Sequence, residues 1–210
     1  MIKGMADKQG ELAELKKEME EDRTLPLFGQ ANLVFGEGNS EADVMFIGEA
    51  PGFHEDRLSR PFVGRAGQLL DKLLVAIKWP RPSVYITNIV KRRPPENRDP
   101  LPEEISAYRP YLDRQIEIMN PKIIAALGRF AMNYFLPDAK ISKDHGVAQY
   151  AGDCLILPLY HPAAALRSTQ VLKDLEADFK KLPEILKNPP PKPPPQIKNK
   201  GEFQKQESLF

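Results

Sequence analysis

Four short apolar segments, each separated from the next by a helix-patterned stretch and each running into a polar loop, constrain this chain more than any other feature. They are Val44–Ile47 closed by Gly48, VYITNIV at Val84–Val90, KIIAALG at Lys122–Gly128, and CLILPLYHP at Cys154–Pro162. Helical spacing of leucines and a valine marks Ala66–Ile77. Pro102–Met119 has a proline and two acids in its first turn, RFAMNYFL follows the third strand, and AAALRS opens a last helix reaching about Leu186. Apolar β-rich runs alternating with helices predict an α/β fold, a four-stranded parallel sheet flanked by helices on both faces. Each strand ends in an unusual loop: GEAPG, TNIVK, GRF and YHP. Open parallel sheets bind ligands beyond the carboxyl ends of their strands, so these polar residues are expected to converge on one edge.

With 210 residues, 41% of them hydrophobic, there is enough apolar material for one compact domain with some tail. The predicted organisation is a charged, exposed N-terminal helix over 1–24 and a folded α/β domain over 25–187. A proline-rich solvated linker over 188–205 and a terminal peptide over 206–210 complete it. No apolar run approaches membrane-span length and no leader pattern is seen, so a soluble cytoplasmic protein, a monomer making no membrane contact, is expected. The net charge of +1 means that any nucleic-acid surface must come from local basic clusters. A single cysteine, Cys154, and three scattered histidines leave no disulfide framework and no obvious metal cluster.

The segment GEAPGFHEDRLSRPFVGRAGQLL (Gly48–Leu70), followed in order by TNIVK, RPPENRDP, PKIIAALG and LYHPAAALR, resembles the family 4 uracil-DNA glycosylases. The resemblance covers roughly Val34 to Arg167. It implies a four-stranded parallel sheet between helices, the uracil-DNA glycosylase-like three-layer sandwich, and excision of a flipped-out uracil at the start of base excision repair. Within it Phe62 matches the residue that stacks on uracil, against the alternative of a core Phe between Pro61 and Val63. Asn88 matches the base-reading asparagine, whose carboxamide offers one donor and one acceptor and so suits uracil rather than cytosine. His161 matches the histidine that donates to uracil O2 as charge develops there, which a neutral imidazole can do. Glu49 is the expected carboxylate that positions water and stabilises the sugar cation. Glu55 is its alternative, or else forms a pocket wall excluding a thymine methyl group. Gly48, Ala50 and Gly52 are expected beside the base.

For DNA the candidates are Gly64 and Arg65 at a helix start able to receive phosphate, the basic cluster Lys91, Arg92 and Arg93, and Ala164, Leu166 and Arg167 after the histidine. Leu166 stands either as a wedge filling the gap left by the extruded nucleotide or as a buried residue of the last helix. Asp56 is expected to order its loop against Arg57 or Arg60, and His145 to be structural or exposed.

Members of the family carry four cysteines holding a 4Fe–4S cluster. The matching positions here are Asp22, Leu25, Arg92 and Tyr108, none a thiolate, so the expectation is no cofactor and no metal. The histidine-bearing loop of the branch that cross-links to DNA is absent from KRRPP, so no covalent trapping is expected. The terminal QESLF resembles the bacterial sliding-clamp-binding pentapeptide. Gln206 would fix register while Leu209 and Phe210 fill an apolar cleft, which implies a nucleoid-associated bacterial enzyme. Competing readings are a catalytically weak DNA-binding relative, a glycosylase of broader deaminated-base range, and a small-molecule α/β hydrolase. The last leaves the Asn88–His161 pair unexplained.

Overall fold

The computed structural model describes residues 7–193. In chain order its elements are α1 (Lys8–Glu21), β1 (Glu37–Gly38), β2 (Val44–Gly48), α2 (Phe53–Leu58), α3 (Arg65–Ala76), β3 (Tyr85–Asn88), α4 (Pro102–Met119), β4 (Ile123–Leu127), α5 (Arg129–Phe135), α6 (Ile141–Asp144), β5 (Gln149–Ala151), β6 (Cys154–Leu159), α7 (Pro162–Ala165) and α8 (Thr169–Lys187). The sheet order is β1-β3-β2-β4-β6-β5. The four expected strands form its parallel centre. The four-strand expectation is extended by two short antiparallel edges, β1 on β3 and β5 on β6.

Side-chain alternation on the strands builds three layers. Met45 and Ile47 of β2 face a core shared with Leu12, Leu15 and Met19 of α1, with Tyr108 and Leu112 of α4, and with Met132 of α5. Val44 and Phe46 face the opposite core, made with Leu70, Leu73 and Leu74 of α3 and Leu175, Phe179 and Leu182 of α8. Helix α1 is thus not simply exposed. Its apolar stripe is buried, Lys8 Nζ caps the Met119 carbonyl at 2.9 Å, and Glu18 pairs with Arg114.

The expected last helix is two helices. α7 ends at Ala165, and after a break Ser168 caps α8 by accepting from the Val171 N–H at 3.4 Å. The first residues of the predicted linker lie along the β5–β6 hairpin, where the Tyr150 hydroxyl donates to the Pro190 carbonyl at 3.2 Å and Lys192 pairs with Asp153. Gln206, Leu209 and Phe210 lie outside the described residues. No described helix is long and apolar enough to cross a membrane.

Candidate active site

The parallel register sets Gly48 beside Asn88 at the ends of β2 and β3, and β6 delivers His161 two residues past its last strand position. A cleft of about 330 Å³ opens over these ends, lined among others by Glu49, Ala50, Gly52, Glu55, Phe62, Asn88, His161 and Arg167. That volume is at the small end of ligand sites and suits one heterocycle.

Asn88 is 1% exposed, and its Oδ1 is the one buried side-chain nitrogen or oxygen without a hydrogen-bond partner among the described residues. Buried polar atoms are satisfied in the great majority of cases, so an unpaired one in a cleft wall marks a place for a ligand donor. Gly48 makes the arrangement possible. A Cβ there would fall 2.5 Å from both Asn88 Oδ1 and Phe62 Cζ, so only a bare backbone lets the amide and the ring approach this closely.

Phe62 is buried, and its ring lies 5.6 Å from that of His161, centroid to centroid. It belongs to the core cluster of Leu70 and Leu74 and also lines the cleft. Its φ of 51° is unusual for an aromatic residue and costs on the order of 1–3 kcal/mol unless surrounding contacts hold it.

His161 Nδ1 accepts from the Ala163 N–H at 3.1 Å, which leaves the ring proton on Nε2. Burial pushes its pKa down to about 4, with Glu55 opposing, so the imidazole is neutral and a donor at physiological pH. Glu49 goes the other way. Burial, then the Asp99 carboxylate, raise its pKa to about 7, while Arg129 pulls it down. Asp99 and Arg129 form an exposed ion pair.

Glu55 lines the cleft but is occupied: its Oε1 accepts from the N–H groups of Val63 at 2.8 Å and Gly64 at 2.7 Å. That bond corrects the expectation for Gly64, whose amide is already committed to Glu55 and is not a free phosphate donor. Lys91 is the second correction. It is fully buried, donates at 2.5 Å to both Thr87 Oγ1 and Gln115 Oε1, and burial holds its pKa well below the usual lysine value. It therefore cannot belong to a DNA-facing basic rim.

Arg92 is also buried, whereas Arg93 is partly exposed over the Phe53 ring at 5.3 Å. Arg65, Ala164, Leu166 and Arg167 are exposed, which removes the buried alternative for Leu166. Asp56 orders its loop through Asn32, accepting from its N–H at 2.7 Å, and not through Arg57 or Arg60. His145 is structural, bonded through Nδ1 to Asp178 at 2.6 Å.

Sequence reasoning missed Asn97 and Arg98 in the cleft wall and the Asp99–Arg129 pair that acts on Glu49. Consecutive left-handed residues, Glu96 and Asn97, fold that loop back over the strand ends. Its only advance signal was the density of proline and asparagine in RRPPENRDP.

The four positions matching cluster cysteines do not fit a cluster. Arg92 Nη1 donates to the Tyr108 hydroxyl at 3.2 Å, and that hydroxyl donates to the Pro26 carbonyl at 2.6 Å. Asp22 accepts from the Tyr111 hydroxyl at 2.7 Å, and Leu25 is buried apolar. A guanidinium, a phenol, a carboxylate and an alkyl group cannot replace four thiolates. Among the described residues no group of three or more His, Cys, Asp or Glu side chains converges as a metal site.

A family model described as the uracil DNA glycosylase superfamily matches residues 35–187. The chain is 47% identical over 170 residues to the type-4 uracil-DNA glycosylase of Sulfurisphaera tokodaii, covering 76% of this chain and 77% of the relative. It is 48% identical to that of Saccharolobus solfataricus, over 76% and 78% respectively. Against that of Archaeoglobus fulgidus it is 43% identical, over 74% and 83%.

Proposed function

This chain belongs to the uracil-DNA glycosylase superfamily, and on that premise we propose that its cleft holds a uracil flipped out of DNA while Glu49, Phe62, Asn88 and His161 break the bond from base to sugar. It is a DNA-repair hydrolase of N-glycosidic bonds, like the type-4 uracil-DNA glycosylases it resembles across most of its length. The observation that carries the assignment of roles is the orphaned Asn88 Oδ1. Uracil offers N3–H to that oxygen and O4 to the same amide's NH₂. Cytosine offers the reverse and would leave both unsatisfied, at a cost of roughly 1–3 kcal/mol per group.

Phe62 replaces the stacking that the base loses on leaving the helix. As the C1′–N1 bond breaks, its electron pair moves onto the uracil ring and charge gathers on O2, towards which the Nε2–H of neutral His161 donates. Ionised Glu49 steadies the positive charge left on the sugar and orients the water that adds to C1′, and it accepts that water's proton. Arg65, Arg93 and Arg167 supply phosphate contacts, and Leu166 enters the vacated stack. Because the donor set at 22, 25, 92 and 108 is unfit for iron, the reaction is proposed to run without the 4Fe–4S cluster. The pentapeptide Gln206–Phe210 is proposed to tether the enzyme to a sliding clamp. Its deletion should abolish clamp binding and spare excision from short oligonucleotides.

Release of free uracil from a uracil-containing oligonucleotide tests the whole assignment. Parent protein should release it, and Asn88→Ala and His161→Ala should each be at least about a hundredfold slower, the effect of removing one preorganised donor. No release by the parent from either single or double strands would overturn the uracil assignment in favour of one of the competing readings.

A further inference from the structure

Phe62 must be held in its left-handed conformation by something, and two residues grip its loop from opposite sides. On the amide side Glu55 Oε1 takes the N–H groups of Val63 and Gly64. On the carbonyl side Arg81 donates Nη1 to the Phe62 carbonyl at 3.1 Å and Nη2 to the Pro61 carbonyl at 2.5 Å. Arg81 follows α3 in a short 3₁₀ turn, Arg81–Ser83, nineteen residues beyond Phe62, and it does not line the cleft.

The guanidinium is itself locked. Nη1 also reaches Asp71 Oδ1 on α3 at 2.8 Å, and Nε reaches Glu37 Oε1 on β1 at 2.8 Å. Glu37 returns to the same loop by accepting from Arg60 Nε at 2.7 Å. Gly67 completes the seat, since a Cβ there would lie 1.8 Å from the Phe62 carbonyl oxygen that Arg81 holds.

From this geometry we infer that Arg81 is a positioning residue for base stacking, which fixes the Phe62 ring over Gly48 and beside His161 by clamping two consecutive carbonyls. The inference rests on Phe62 being the stacking surface. A planar fork with several fixed donors is needed to span two carbonyls and two carboxylates. The lysine ammonium, a single point charge, cannot span them.

A double-mutant cycle read by single-turnover uracil excision tests this. Arg81→Lys and Arg81→Ala should each slow excision about tenfold or more while leaving affinity for uracil-free DNA unchanged. The same change placed on Phe62→Ala should cost almost nothing further, because coupled residues are non-additive. Added guanidinium ion should restore part of the rate to Arg81→Ala and none to the double variant. Parental rates in Arg81→Lys, or a full Arg81→Ala cost that persists in Phe62→Ala, would overturn the positioning role. If Phe62→Ala itself excises at the parental rate, it is the stacking role of Phe62 that fails.

Discussion

Glu49 and His161 are displaced from their ordinary protonation behaviour in opposite directions, and each displacement bears on the role proposed for it. Glu49 has its pKa raised to about 7 chiefly by burial, with Asp99 adding and Arg129 opposing. The role proposed for it requires the ionised form, so single-turnover excision is expected to rise with pH through about 7 and then level. His161, held to about 4, adds no limb in that range. Asp99→Asn removes a repelling charge and frees Arg129 from its partner, so the limb should move to lower pH; a limb that stays put would exclude Asp99 as a determinant. The same groups set opposite stability slopes. Between 4.5 and about 7 the folded state keeps a proton on Glu49 that the unfolded chain has lost. That contribution is complete below 4.5 and lost as pH rises through 7. Between about 4 and 6.5 the unfolded chain protonates a histidine that the folded state keeps neutral, so the His161 contribution is present above 6.5 and lost as pH falls. Glu49→Gln is therefore expected to melt higher than the parent at pH 8, by about 1–3 kcal/mol after allowing for solvent screening, with the gap closing near pH 4.5. Thermal melts across that range check it.

At the scale of elements, the close approach of β2, β3 and the Phe62 loop depends on Gly48. Gly48→Ala would put a methyl group 2.5 Å from both Asn88 Oδ1 and Phe62 Cζ, so one or both must move. Excision is expected to fall at least about a hundredfold, as it does when a contact made only in the transition state is misplaced by an ångström, while binding of uracil-free DNA stays near the parental level. Competition binding set against single-turnover rates separates the two. The central strands were legible in the sequence because they are buried on both faces and read as unbroken apolar runs, Val44–Gly48 most plainly. Glu49, Asn88 and His161 stood out because they interrupt or follow those runs. β1 was illegible for the converse reason: only two residues long, with no fully buried position, it exists by pairing with β3, almost fifty residues on. Helix α2 buries no residue at all and so carries no periodic signal. Lys91 misled because its burial depends on Gln115, 24 residues away, and on Thr87 one helical turn's count before it. Neither partner can be read from a basic triplet.

Across the whole molecule, three segments distant in sequence meet at Arg92 and Tyr108: the turn after α1, the loop after β3, and α4. Arg92 stacks on Phe28 at 5.2 Å from the ring centroid and donates to the Tyr108 hydroxyl, which donates in turn to the Pro26 carbonyl. Arg92 also lowers the Asp22 pKa, after the stronger effects of Thr24 and Tyr111. These are the positions at which the family resemblance implies cluster thiolates, so a cation, a phenol and an aromatic face tie together what four metal bonds would otherwise hold. Such a junction differs from a cluster in how it fails. A cluster is lost to oxidation or chelation, whereas a buried hydrogen-bonded cation fails when one partner is removed and the remainder is left unsatisfied. Tyr108→Phe deletes only the hydroxyl, stranding the Pro26 carbonyl and one guanidinium N–H, and should lower unfolding free energy by about 1–3 kcal/mol. Because the junction lies away from the cleft, its excision rate well below the melting temperature should match the parent. The parent in turn should show no iron by metal analysis and keep full activity after prolonged chelation. Loss of activity on chelation would mean that a metal is held by some other set of ligands. Excision slowed in Tyr108→Phe at low temperature would mean that the junction reaches the strand end bearing Asn88, four residues before Arg92, and sets the site as well as the fold.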